Sequence, residues 1–129
     1  MIVLDANVLI AYLDDSDALH RQAVDALESV ADEEWVAHPV TLAEVLVGPA
    51  RRTAAHLQQA VDTLSAIGVD EAPWNGSDAL TLAQLRAETH LKLPDCCVLL
   101  LTEREDSSLL SFDGALCRAA ERRGITVVE

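Results

Sequence analysis

Residues 1–10 read MIVLDANVLI. Ile2, Val3 and Leu4 make a short apolar run that predicts a strand heading into a core. The run stops at Asp5, and apolar residues resume at Val8, Leu9 and Ile10 behind Asn7, so a helix follows at once. A strand that turns into a helix through an acidic residue is the opening of an alternating α/β chain. Asp5 itself admits two explanations at this point. A carboxylate at the end of a buried strand is costly unless something compensates it. Helix capping is one compensation, since Asp and Asn satisfy the free N–H groups of a helix start. Ligation of a cation is the other.

The same alternation continues outward from this opening. Ile2–Leu4 is followed by a helix over Ala6–Leu13. Residues 17–31 carry Leu19, Ala23, Ala26, Leu27 and Val30 at helical spacing, and Trp35–Ala37 reads as a second short strand. A helix is predicted to begin at 41–47 and to stop at Gly48-Pro49. Residues 53–67 place Leu57, Ala60, Val61 and Leu64 on one face and close at Gly68. Helices over 77–91 and 94–103, a strand over 108–112, a helix over 113–123 closed by Gly124, and a last strand over 125–128 complete the pattern. Strands separated by helices predict a parallel sheet covered on both faces. The fold class is therefore α/β, a small three-layer arrangement with one domain spanning residues 1–129.

Composition narrows the function classes. No apolar run approaches the roughly 18 residues of a membrane span, the longest being residues 96–101, and no leader pattern precedes Asp5. These features predict a soluble, cytoplasmic protein with no membrane partner. Cys96, Cys97 and Cys117 form neither a disulfide framework nor a C-x-x-C metal site and read as reduced core residues. His20, His38, His56 and His90 have no metal-ligand spacing, and Walker A, G-x-S-x-G and G-x-G-x-x-G motifs are absent. The formal net charge is −13. It opposes a broad nucleic-acid-binding surface, which needs Lys and Arg, and it suits a cation site or a basic partner.

Most acids fall in solvent-facing clusters such as Asp14-Asp15 and Asp32-Glu33-Glu34. Four lie in apolar surroundings: Asp5 in IVLDANVLI, Glu44 in VTLAEVLVG, Asp95 in LKLPDCCVLLL and Asp113 in LLSFDGALC. Asp5 and Asp113 each follow a strand, while Glu44 and Asp95 are predicted in the first turn of a helix. In an open parallel sheet these positions lie along one edge, where ligands bind. Each has a structural alternative. Thr41 to Glu44 matches a capping box; Asp95 after Pro94 suits a helix dipole; Asp113 can cap its helix. Together, four carboxylates along one edge repel one another and call for a hard cation.

LDANVLIAYL, VTLAEVLVG, LKLPDCCVLLL and LLSFDGALCRAA followed by GITVV, in this order, resemble the PIN-domain family, and within it the VapC-type toxins of bacterial toxin–antitoxin pairs. The resemblance implies a small parallel sheet within helices and a Mg²⁺- or Mn²⁺-dependent endoribonuclease, in which a metal-activated water attacks the phosphodiester. Asp5, Glu44, Asp95 and Asp113 match the family's acidic cluster, as catalytic residues and metal ligands. Asn7 and Ser111 match its accompanying polar positions. The fourth acid is the least constant in the family, so Asp113 is the weakest of these matches. The resemblance further implies an RNA substrate, a cognate antitoxin and a homodimer. Ser111 is expected to orient Asp113 or a water.

With the four acids set aside, the remaining ones still outnumber the nine Lys and Arg by about two to one. RNA binding would then rest on metals and on local cations, the candidates being Arg51-Arg52, Arg86, Lys92 and the arginines between Arg118 and Arg123. Two other classes stand beside the nuclease: a catalytically inert PIN-like module that holds RNA or protein, and an acidic metal-dependent phosphatase. The four retained acids oppose the first. Asp5 followed by Ala6 and Asn7, rather than by a paired acid, opposes the second.

Overall fold

Residues 1–129 are described by a computed structural model. In chain order the elements are β1 Ile2–Leu4, α1 Ala6–Leu13, α2 His20–Ser29, β2 Trp35–Ala37, α3 Pro39–Arg52 and α4 Ala54–Ala66. They continue as β3 Val69–Glu71, α5 Asp78–Thr89, α6 Leu93–Arg104, β4 Ser108–Leu110 and α7 Gly114–Arg122. The four strands pair in parallel in the order β3-β2-β1-β4. Val3 lies opposite Val36 on one side and Leu109 on the other.

The strand period of two divides the apolar residues between the two faces. Ile2, Leu4 and Ala37 join α1, α2, α3 and α4 in one core through Leu9, Leu27, Val45 and Leu64. Val3, Val36 and Leu109 join α5, α6 and α7 in the other through Leu85, Leu99 and Leu116. α6 contributes seven consecutive buried residues, Cys96 to Thr102, and the absence of a polar stripe reflects its burial between the sheet and neighbouring helices. The expected small parallel sheet with helices on both faces is the fold.

Four local expectations change. α3 begins at Pro39 with His38 as its N-cap, whose Nδ1 accepts the Val40 N–H at 3.1 Å. Proline fits the first helical position because its missing N–H is not needed there. α3 also runs through Gly48-Pro49 to Arg52; α4 lies along it and holds the last turn, although Pro49 removes one backbone bond. β3 was not predicted, because an edge strand with two of its three residues exposed carries no apolar run. The strand expected over 125–128 is reduced to a single bridge between Val127 and Leu109, flanked by hydrogen bonds to Leu109 from either side.

Because all four strands run the same way, their C-terminal ends share one edge. Asp5, His38 and Ser111 follow β1, β2 and β4 there.

Candidate active site

Asp5 leaves β1 with an extended backbone and caps α1. One carboxylate oxygen accepts the Ala6 N–H at 2.8 Å, and the other accepts the Ser111 hydroxyl at 2.6 Å. That hydroxyl also accepts the Asp113 N–H at 3.0 Å and an Asn7 Nδ2 hydrogen at 3.3 Å. Asn7 Oδ1 accepts the Phe112 N–H at 3.1 Å. Asn7 and Ser111 therefore tie the start of α1 to the turn between β4 and α7, across more than a hundred residues of chain. Ser111 orients the Asp5 carboxylate directly, and it holds Asp113 by its backbone rather than by its carboxylate. Burial raises the Asp5 carboxyl above the ordinary range; the Ser111 and Ala6 hydrogen bonds oppose that rise, and Asp113 adds to it.

Asp113 is the N-cap of α7, with Oδ1 accepting the Ala115 and Leu116 N–H groups at 2.9 and 3.2 Å. Its capping role is real and leaves its second oxygen without a donor. Glu44 behaves differently. With the helix starting at Pro39, Glu44 sits in the second turn rather than the first, and Thr41 is not a cap. The capping box does not form; the Thr41 hydroxyl is buried without a partner. Glu44 is exposed, and its carboxyl is raised by burial of its inner part and by Asp5.

Asp95 occupies the first turn of α6, behind Pro94 and the N-cap Lys92. It is partly buried and receives no hydrogen bond. Burial first, then Asp5, Asp113 and Glu44, push its carboxyl up to about 6, with Lys92 pulling the other way. Asp95 thus feels all three of the other acids read from the sequence, while Asp5 feels Asp113 and Glu44 feels Asp5.

A hard cation suits this donor set: oxygen ligands only, mutually repelling, with two carboxylates, Glu44 and Asp95, left without any donor. No three His, Cys, Asp or Glu side chains already converge as ligands. A cation would hold to one or two of the carboxylates and complete its shell with water and substrate oxygens, as Mg²⁺ commonly does. Thiols are unsuited to nucleophilic work here. Burial, with Cys96, Asp78 and Glu44 nearby, pushes Cys97 up to about 11, and burial with Asp113 and Asp5 raises Cys117. His38, which the sequence reading left without a role, is fully buried with Nε2 unpartnered and meets Trp74 edge-on at 4.5 Å. The His-Pro dipeptide was the available signal for its place at a helix start.

The model of the PIN domain family matches residues 2–122. A search of curated proteins returns no match. Among solved structures, the chain is similar to VapBC2 from Rickettsia felis bound to a DNA fragment from its promoter, at 15% identity and a TM-score of 0.74, covering 98% of this chain and 97% of that one. It is similar to a toxin–antitoxin complex from Klebsiella pneumoniae at 25% identity and a TM-score of 0.70, covering 88% and 87%. It is also similar to VapC20 of Mycobacterium tuberculosis, a sarcin–ricin loop cleaving toxin, at 18% identity and a TM-score of 0.69, covering 92% and 95%.

Proposed function

The chain belongs to the PIN domain family, and from that premise we propose that it is a Mg²⁺- or Mn²⁺-dependent endoribonuclease toxin neutralised by a cognate antitoxin. The observation that carries the reading is Asp95: partly buried, without a hydrogen-bond donor, and raised to about 6 by burial and three other carboxylates. Within the chain only Lys92 opposes the rise, and a bound cation would relieve it.

Asp5 and Asp95 would hold the ion, with Glu44 and Asp113 beside it. A bound divalent ion supplies Lewis acidity toward the scissile phosphate and lowers the pKa of an attacking water. Ser111 and Asn7 keep Asp5 in one orientation, so the ligand is preorganised. Asp113 keeps one oxygen on the α7 amides and offers the other. Glu44, exposed and held by no hydrogen bond, is free to turn toward a water or the ion. A cytoplasmic location accords with an RNA substrate, and a homodimer with the toxin reading. No helix is long and apolar enough to cross a membrane.

The antitoxin partner finds support beside Glu44. A groove of about 710 Å³ runs from that residue between α1, α3 and α4, walled by Leu13 and Val45 and by Asp14 and Asp15. Its three acids against the single Arg52, together with the apolar wall, suit a peptide with apolar and basic side chains, one of which could reach the carboxylates.

The purified protein is expected to cut RNA with Mg²⁺ or Mn²⁺, to stop in chelator, and to resume when the metal is restored. Cutting that persists in chelator, with contaminating nuclease excluded, overturns the metal mechanism.

A further inference from the structure

An acidic nuclease needs some means of holding a polyanion, and the structure sorts its nine cations. Arg21 pairs with Asp25, Arg104 with Asp78, and Arg123 with Glu88 and Glu103. Arg86 donates to the carbonyls of His90 and Leu91 at the end of α5. These four are occupied. Five remain unpaired: Arg51, Arg52 and Arg122, with Arg52 in the groove beside Glu44, and Arg118 and Lys92, which stand nearest in the chain to Asp113 and Asp95.

Arg118 lies on α7, four residues beyond Gly114 and therefore on the same helix face. Its guanidinium folds back over Gly114, the residue next to Asp113: a Cβ there would lie 3.0 Å from Nη1. Glycine at 114 leaves the space that this conformation uses. The head group makes no ion pair and no hydrogen bond, although the chain holds 22 Asp and Glu. Lys92, the sole lysine, is the exposed N-cap of α6, one turn ahead of Asp95. It too is unpaired, and its charge reaches the Asp95 carboxylate. The two cations thus stand next to the acidic edge, one on the helix that Asp113 caps and one at the cap of the helix that carries Asp95.

We propose that Arg118 and Lys92 hold the phosphates on either side of the scissile bond in single-stranded RNA, setting the register of the strand across the four carboxylates. A guanidinium takes a phosphate through two parallel hydrogen bonds, and a lysine takes it as a point charge. In a chain of charge −13 such an arrangement places attraction at the site itself, against a surface that repels a polyanion on average. The assignment rests on the ribonuclease reading above and names its substrate contacts.

The test compares Arg118→Ala, Lys92→Ala, Arg118→Lys and Arg21→Ala on a single-stranded RNA, with KM, kcat and the salt dependence of kcat/KM as readouts. Binding of the same RNA is measured in parallel with Ca²⁺ in place of Mg²⁺. Arg118→Ala and Lys92→Ala are each expected to raise KM about five- to tenfold with kcat within about twofold. Each should flatten the slope of log affinity against log salt by about 0.7, the value for one single-strand phosphate contact. Arg118→Lys restores the slope and part of the affinity. Arg21→Ala, with the same change in net charge, leaves both unchanged. A slope unaltered in both alanine variants, in protein that cuts RNA, overturns the proposal. If wild type leaves RNA uncut yet binds it with a slope that Arg118→Ala flattens, the nuclease reading and the register about a scissile bond fall together, and only the phosphate contact of Arg118 stands.

Discussion

Glu44 shows how far a single residue's role depends on where its helix begins. From the sequence, Thr41 to Glu44 matches a capping box, which offers Glu44 a structural duty as the alternative to a place in the acidic site. With His38 as N-cap, that duty vanishes: Thr41 is buried and unpartnered, and Glu44 binds nothing. Glu44→Gln is therefore expected to leave the melting temperature of the metal-free protein unchanged or slightly higher, since it also removes repulsion with Asp5. Cleavage should fall steeply, by at least a hundredfold at limiting metal, because an amide is a poor substitute for a carboxylate near a divalent ion. Near-normal cleavage by this variant removes Glu44 from the site. Asp113 sits at the opposite pole, since its cap is made and its catalytic duty would be shared with one oxygen.

At the scale of elements, the start of α3 is the joint on which the site's geometry turns. His38 follows β2, caps α3 through Nδ1 and meets Trp74 edge-on. An imidazole that accepts a hydrogen bond at Nδ1 must be unprotonated there, and burial lowers its pKa below the ordinary 6.5, with Asp78 opposing and Arg104 assisting. The folded state thus binds its proton later than the unfolded chain. The stability this contributes is complete above pH 6.5 and is lost as the pH falls through the folded value. His38→Asn keeps a capping acceptor but does not titrate. Thermal melts from pH 7 to pH 5 should show wild type losing ground to this variant, whereas parallel curves would deny His38 the role. His38→Ala, lacking the cap, is expected to cost about 1 kcal/mol for the cap alone.

Across the whole molecule the acids dominate, and Asp95 reports their balance. Its carboxyl titrates near 6 in the folded protein against 3.8 ordinarily, so the folded state keeps that proton longer. The sign is opposite to that of His38: between about pH 4 and 6, rising pH destabilises the metal-free protein through this group. Asp95→Asn should melt with wild type at pH 4 and several degrees above it at pH 7. Added Mg²⁺ should raise the melting temperature of wild type more than that of the variant. A variant less stable than wild type at pH 7 without metal would mark Asp95 as structural.

The sequence alone carried the alternation of strands and helices and the parallel sheet, and it singled out the four acids for the proposed site. These follow from local pattern: a strand of three apolar residues, a helix repeat and an acid at the junction are all written within a few positions of one another. It misjudged what local pattern does not encode. β3 is held at an exposed edge by pairing with β2, and α3 outlasts Gly48-Pro49 because α4 lies along it. The fate of the cations was equally hidden, since Arg123 is tied to Glu88 and Glu103 at separations of 35 and 20 residues. Arg118 stays free beside Asp113. Only tertiary structure decided which charges are spent on one another and which are left for a substrate, because ion pairs form between residues that the chain brings together and not between residues that stand together in it.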